Sequence, residues 1–281
     1  MSPAIFAVVL FAAFLHAFWN AVVKGAQDKT VVLGLIALGH VLPGIVMVIF
    51  APFPTSASVP FIIASTVIHW VYYYLLNVAY RLGDLSVIYP IARGMAPVLI
   101  ALGAQVFVGE RLPLVAWMGI LCVSLGIMVL TRGVFRAGLP KVGLLAAIGT
   151  ALMISAYSII DGVGARVSGT VWGYIGWLFV AECFVAGYVF ATRWERLRAL
   201  DIRTLCLGLA GGVISGAAYA LVLYAKTLAP LGLVSALRET SVIFAALFGV
   251  IWFREGPRCD RMVAASIVAA GIVLIALASG A

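Results

Sequence analysis

Apolar runs of about twenty residues, each closed by a charge, a glycine or a proline, recur along the whole chain. The interval 31–80 holds no Asp, Glu, Lys or Arg, and the turn-forming run APFPTS at 51–56 divides it. A hydrocarbon core about 30 Å thick needs about 20 residues of helix. On that rule the pattern predicts ten spans: 3–23, 30–50, 58–80, 85–108, 112–131, 141–160, 170–191, 204–225, 230–253 and 261–279. The first run has no basic segment before it and is long enough to span, so it reads as a helix and not as a removable leader.

Sliding the chain by 145 residues without a gap pairs Arg81 with Lys226, Arg93 with Arg238 and Glu110 with Glu255. Aliphatic coincidences such as Leu102 with Leu247 carry little weight between two apolar helices. Charges are scarce here, so charged pairs in one register carry more. The halves are 1–135 and 136–281, joined through a patch with Arg132, Arg136 and Lys141. Five crossings per half is an odd number, so the second half starts on the opposite face. The expected fold is therefore an all-α membrane protein of ten helices, arranged as two inverted repeats around a central cavity.

Composition agrees with the pattern. Of the 281 residues 65% are hydrophobic and 10% charged, and the mean hydropathy is +1.19, where a soluble domain carries about a quarter charged residues. The net charge of +8 does not read as a nucleic-acid footprint, because the basic residues sit in short loops between apolar segments. If the N-terminus lies on one face, the opposite face carries 13 Lys and Arg against 3, with Arg93 and Arg238 inside helices. The positive-inside rule then puts the basic loops in the cytoplasm and both termini outside. Cys122, Cys183, Cys206 and Cys259 are scattered, and His16, His40 and His69 fall on three different segments. Neither a disulfide framework nor a metal site is expected, and no cofactor.

Ionisable residues inside spans are costly and usually face a bundle interior or a water-filled cavity. Arg93 lies mid-segment in YPIARGMAP, and its fork of donors suits a carboxylate or phosphate. The functional reading of Arg93 and Arg238 is an anion anchor; the structural one is a fixed ion pair, with Glu239 as partner. Glu239 could neutralise an arginine, read an ammonium, or carry a proton. Glu182 and His40 read as packing residues. HAFWN sets His16, Trp19 and Asn20 on one helical face, and HWVYYYLLN does the same for His69, Tyr72 and Tyr73 ahead of Asn77. Such faces suit a small amphiphilic substrate or, alternatively, a polar seam between helices. Tyr157 and Tyr219 are weaker candidates. Gly208, Gly212 and Gly216 form a GxxxGxxxG ridge for close helix packing, and Pro90 and Pro97 are expected to bend the fourth span around Arg93.

LHAFWNAVVKGA (15–26), YRLGDLSVIYPIARGMAPVLIALGAQVFVGERL (80–112) and LRETSVIFAALFGVIWFREG (237–256) resemble the drug/metabolite transporter superfamily, EamA type. The resemblance implies a cavity lined by helices 1, 3, 4, 6, 8 and 9, and export or exchange of small metabolites, amino acids among them. The family's second loop is basic, whereas residues 51–59 here carry no charge. The leading expectation is a secondary carrier in a bacterial inner membrane, working by alternating access, with a small-molecule substrate and membrane lipids as its partners. A flippase of a lipid-linked or amphiphilic substrate is the alternative. An intramembrane enzyme ranks lower, because no HExxH, nucleophile–base set or nucleotide loop is present. Oligomeric state is not legible in the sequence.

Overall fold

A computed structural model describes residues 1–23, 28–82, 85–130, 141–252 and 259–280, with the side chains of Lys29, Leu76, Asn77, Ala79–Leu82 and Leu85–Tyr89 excepted. Lys24, Arg132, Arg136, Arg254, Glu255 and Arg258 lie outside the described residues, so the pairing of Glu110 with Glu255 has no structural counterpart here.

The described residues are helical throughout, without a strand. In chain order they form α1 (Pro3–Val23), α2 (Lys29–Phe50), α3 (Val59–Leu82), α4 (Leu85–Gly103), α5 (Leu114–Val129), α6 (Lys141–Val167), α7 (Val171–Ala181), α8 (Cys183–Thr192), α9 (Trp194–Arg198), α10 (Ile202–Leu228), α11 (Leu231–Arg238), α12 (Ser241–Ile251) and α13 (Cys259–Ser279). Nine stretches among these residues are long and apolar enough to cross a membrane; α7 with α8 makes one of them, and α11 with α12 another. The tenth apolar segment, α5, has 16 residues, which span about 24 Å at 1.5 Å per residue.

Local chemistry sets the ends. Asp28 caps α2 by accepting from the amides of Thr30 and Val31, and Thr170 caps α7 by accepting from Gly173. Proline precedes α5 at Pro113 and α11 at Pro230, where a missing N–H costs nothing. Beyond Gly103 the fourth segment loosens into a π-helical turn, Ala104–Val108, closed by Gly109 at φ 75°, a left-handed conformation that favours glycine.

Small residues let the helices approach. A Cβ on Gly212 would stand 2.4 Å from the Ile36 carbonyl, and one on Gly39 2.7 Å from the Gly212 Cα, so α2 and α10 touch backbone to backbone. Gly208 faces Leu35 and Gly216 faces the His40 ring along the same ridge. Between α5 and α13 the contact runs through Gly119 and Gly271. Large side chains such as Phe50, Phe107 and Ile251 point outward, which is tolerable only against lipid.

Two elements differ from expectation. The fourth span is helical without interruption from 85 to 103 despite Pro90 and Pro97, whereas the ninth span breaks at Glu239 and Thr240, between α11 and α12. The sixth and eighth spans run on to 167 and 228, past the charges that bounded them in the sequence.

Candidate functional site: a buried ion pair at a helix break

The break in the ninth span positions two charges. Arg238 is the last residue of α11, the end at which the helix dipole favours a cation, and Glu239 caps that end one residue before Thr240, the N-cap of α12. Arg93, on α4, points at this break, and its Nη2 lies 2.9 Å from Glu239 Oε1, with the two side chains 7% and 5% exposed. A buried pair of this kind leaves neither charge uncompensated. The second oxygen, Glu239 Oε2, is buried and accepts no hydrogen bond.

Arg238 is half-buried, and its guanidinium sits 6.0 Å from the centre of the Tyr219 ring. Among the described residues no carboxylate lies within salt-bridge range of it, so it is the cation that the Arg93–Glu239 pair leaves over. Beneath it the aromatic side chains close into a cluster. His69 stacks on Tyr157 with centroids 4.2 Å apart, Tyr72 meets Tyr157 edge-on at 5.8 Å, and Tyr219 lies 6.2 Å from Tyr157. His69 is fixed from behind by the Ser65 carbonyl, 2.9 Å from its Nδ1. Tyr73 packs beside Tyr72, with ring centres 5.3 Å apart.

On α1, Trp19 donates its indole N–H to His16 Nδ1 at 3.3 Å, and the Asn20 amide folds back to the His16 carbonyl at 2.7 Å. An accepting Nδ1 leaves the proton of a neutral imidazole on Nε2, and this nitrogen is buried without a partner. Thus His16, Trp19 and Asn20 do share a face, but Asn20 is spent on its own helix.

His40 and Glu182, both read as packing residues, bond to one another across α2 and the α7–α8 junction at 3.0 Å, with His40 stacked on Phe179.

A second polar cluster, absent from the sequence reading, lies between this site and the end of the bundle where both termini meet; there the Met1 ammonium donates to the Ser279 carbonyl. Asp161 is fully buried on α6 and accepts from the hydroxyls of Tyr174 at 2.9 Å and Tyr219 at 2.5 Å. Lys226, 1% exposed on α10, donates to the Ser158 carbonyl at 3.1 Å. Above them Arg166 pairs with Glu110 at 2.8 Å and donates to the carbonyls of Lys226 and Ala229, while Glu110 accepts from the Leu231 amide at the start of α11. The sequence pattern places Asp161 and Lys226 outside the spans, because the segments stop at 160 and 225, one residue before each; the structure buries both. The available signal was the apolar continuation past each charge.

Comparison with known proteins agrees with this architecture. Residues 141–277 match the model of the EamA-like transporter family. A protein known from a crystal structure is similar over 98% of this chain and 98% of its own, with a TM-score of 0.77 at 18% identity, a likeness that establishes the fold alone. No curated protein matches the sequence.

Proposed function

Because residues 141–277 belong to the EamA-like transporter family, we propose that this multi-pass membrane protein is a secondary transporter that exports or exchanges small metabolites bearing a carboxylate, amino acids among them. The observation that carries this reading is the pair Arg93–Glu239 at the helix break with Arg238 left over beside it. Discontinuous helices near midplane are where carriers of this general kind hold polar substrates. The substrate carboxylate sits on Arg238, with the His16 Nε2–H as a further donor, and an ammonium finds an acceptor in Glu239 Oε2. The apolar part of the substrate rests on Tyr157, Tyr219 and His69.

The two halves, 1–135 and 136–281, act as inverted repeats that exchange conformations. Supporting this, α5 packs on its repeat partner α13, α2 on α7 and α8, and α4 on α11; α3 packs on α6 as α1 does on α10. Two pairings are unequal: α2 packs closely on α10 while their counterparts α7 and α3 touch little, and α6 packs on α10 while their counterparts α1 and α3 make no contact of similar extent. The Glu110–Arg166 bridge, formed at the terminal face, supports a state shut there. The basic loops lie in the cytoplasm and the membrane is a bacterial inner membrane, as the distribution of Lys and Arg supports.

The test is counterflow. Purified protein in liposomes preloaded with amino acids or organic acids is expected to exchange at least one radiolabelled member of the panel with saturation. Absence of exchange for every solute, with a well-folded protein, would move the reading to a flippase.

A further inference from the structure

We propose that Lys226 is a proton-binding site, and that its loading and unloading are coupled to the opening and closing of the terminal face. The proposal rests on the carrier reading above but on different residues.

The starting point is a charge count. The charged groups acting on Lys226 are Arg238 from α11, Asp161 and Arg166 from α6, and Glu110 from the α4–α5 loop. Two are cations and two are carboxylates. Arg166 and Glu110 cancel in their bridge, and Asp161 and Arg238 flank Tyr219, one at its hydroxyl and the other over its ring. Other titratable groups on the helices packed against α10 have partners of their own: His16 with Trp19, His40 with Glu182, Tyr157 with His69, and Tyr174 with Asp161 inside the cluster. With a protonated Lys226 the cluster therefore carries one uncompensated positive charge; with a neutral Lys226 it carries none.

Geometry points the same way. An ammonium offers three donors. Among the described residues Nζ has one hydrogen-bond partner, the Ser158 carbonyl, and no carboxylate within salt-bridge range. A buried charge with so little compensation is costly, and shedding the proton removes the cost. The lid over Lys226 is the bridge itself, since Arg166 binds the Lys226 carbonyl directly. When Glu110 and Arg166 part, water reaches Nζ and supplies one proton, Lys–NH2 becoming Lys–NH3⁺. When they close, the proton must leave, unless a substrate carboxylate on Arg238 supplies the missing negative charge. The two electroneutral closed states are thus empty without the proton, or loaded with anion and proton together. For a carboxylate that brings no ammonium with it, this is the logic of a proton–anion symporter.

The sign of the pH effect follows. The open state holds the proton and the empty closed state does not, so acid favours the open terminal face and alkali the closed one. A cysteine-free protein carrying Ala229→Cys, buried beside the bridge, reports opening through its rate of alkylation by a membrane-impermeant maleimide. The exposed site Ser56→Cys, measured in parallel, corrects for thiol ionisation. No solute is needed, so failure of this proposal is separable from failure of the carrier reading, which the counterflow assay tests on its own. The corrected rate is expected to fall at least threefold between pH 6 and pH 9 in the protein with Lys226 intact. In Lys226→Met, and in the polar Lys226→Gln should Met unfold the protein, it is expected to be flat. A flat profile with Lys226 intact overturns the proposal. So does an unchanged slope in the variants, which would assign the pH response to a group other than Lys226.

Discussion

Replacing Glu239 by Gln keeps the shape of the side chain and removes its charge, which leaves the Arg93 guanidinium buried against a neutral amide. At the observed 2.9 Å, an effective dielectric constant of 20 gives a Coulomb attraction of about 6 kcal/mol for the intact pair. Part of that is offset by desolvation, and removing one partner of a buried pair costs about 3–5 kcal/mol. For a chain of this size that corresponds to a fall in Tm on the order of 10 °C. Arg93→Met should cost a similar amount, because Glu239 is then the orphan. The double variant Arg93→Met/Glu239→Gln has no charge to strand and is expected to recover most of the loss. The assay is thermal unfolding of detergent-solubilised protein, followed by the monodisperse fraction that survives heating, for all four proteins side by side. A Glu239→Gln protein within about 2 °C of the parent would refute the argument. So would a double variant less stable than the sum of the singles, since the coupling between the two sites would then have the wrong sign.

Two other expectations follow from the same structure. Gly212→Val places a branched side chain against the Ile36 carbonyl at a position where even a Cβ stands at 2.4 Å; overpacking should destabilise the fold by about 1–3 kcal/mol or more, read as lowered monodisperse yield, and an unaffected yield would contradict the α2–α10 contact. Glu110→Gln weakens the bridge to Arg166 while keeping an acceptor for the Leu231 amide; alkylation at Ala229→Cys should rise severalfold with little change in Tm, and an unchanged rate would show that the bridge does not hold that face shut.

The membrane made most of the fold legible. A span must be apolar and about twenty residues long, so runs such as 3–23 and 30–50 declare themselves, and α1 and α2 match them to within a residue. Arg93 and Glu239 were legible for a related reason: a charge among so few is conspicuous, and the nearest carboxylate in the repeat-related span was its natural partner. What hid Asp161 and Lys226 was the same rule applied too strictly. A charge need not end a span: α6 and α10 each run for 27 residues and carry these side chains inside the bundle, where hydroxyls and carbonyls receive them. The break at Glu239–Thr240 left no trace either, since it uses neither glycine nor proline. Glu239 pairs there with Arg93 from another helix and the Thr240 hydroxyl donates to the Leu237 carbonyl, contacts that the apolar pattern does not record. The prolines at 90 and 97 gave the opposite signal, and α4 absorbs both without losing its helical course.

The central claim is that Arg238 is the cation that meets the substrate, because Glu239 already neutralises Arg93. The measurement that tests it most directly is counterflow in liposomes by the parent protein, Arg238→Ala and Arg238→Lys, using whichever solute of the panel the parent exchanges. Arg238→Ala is expected to lose exchange at least a hundredfold while keeping its Tm, and Arg238→Lys to retain partial exchange with a raised KM, since a lysine keeps the charge and loses the fork. An Arg238→Ala protein that exchanges as fast as the parent would contradict the account and remove Arg238 from the substrate's path.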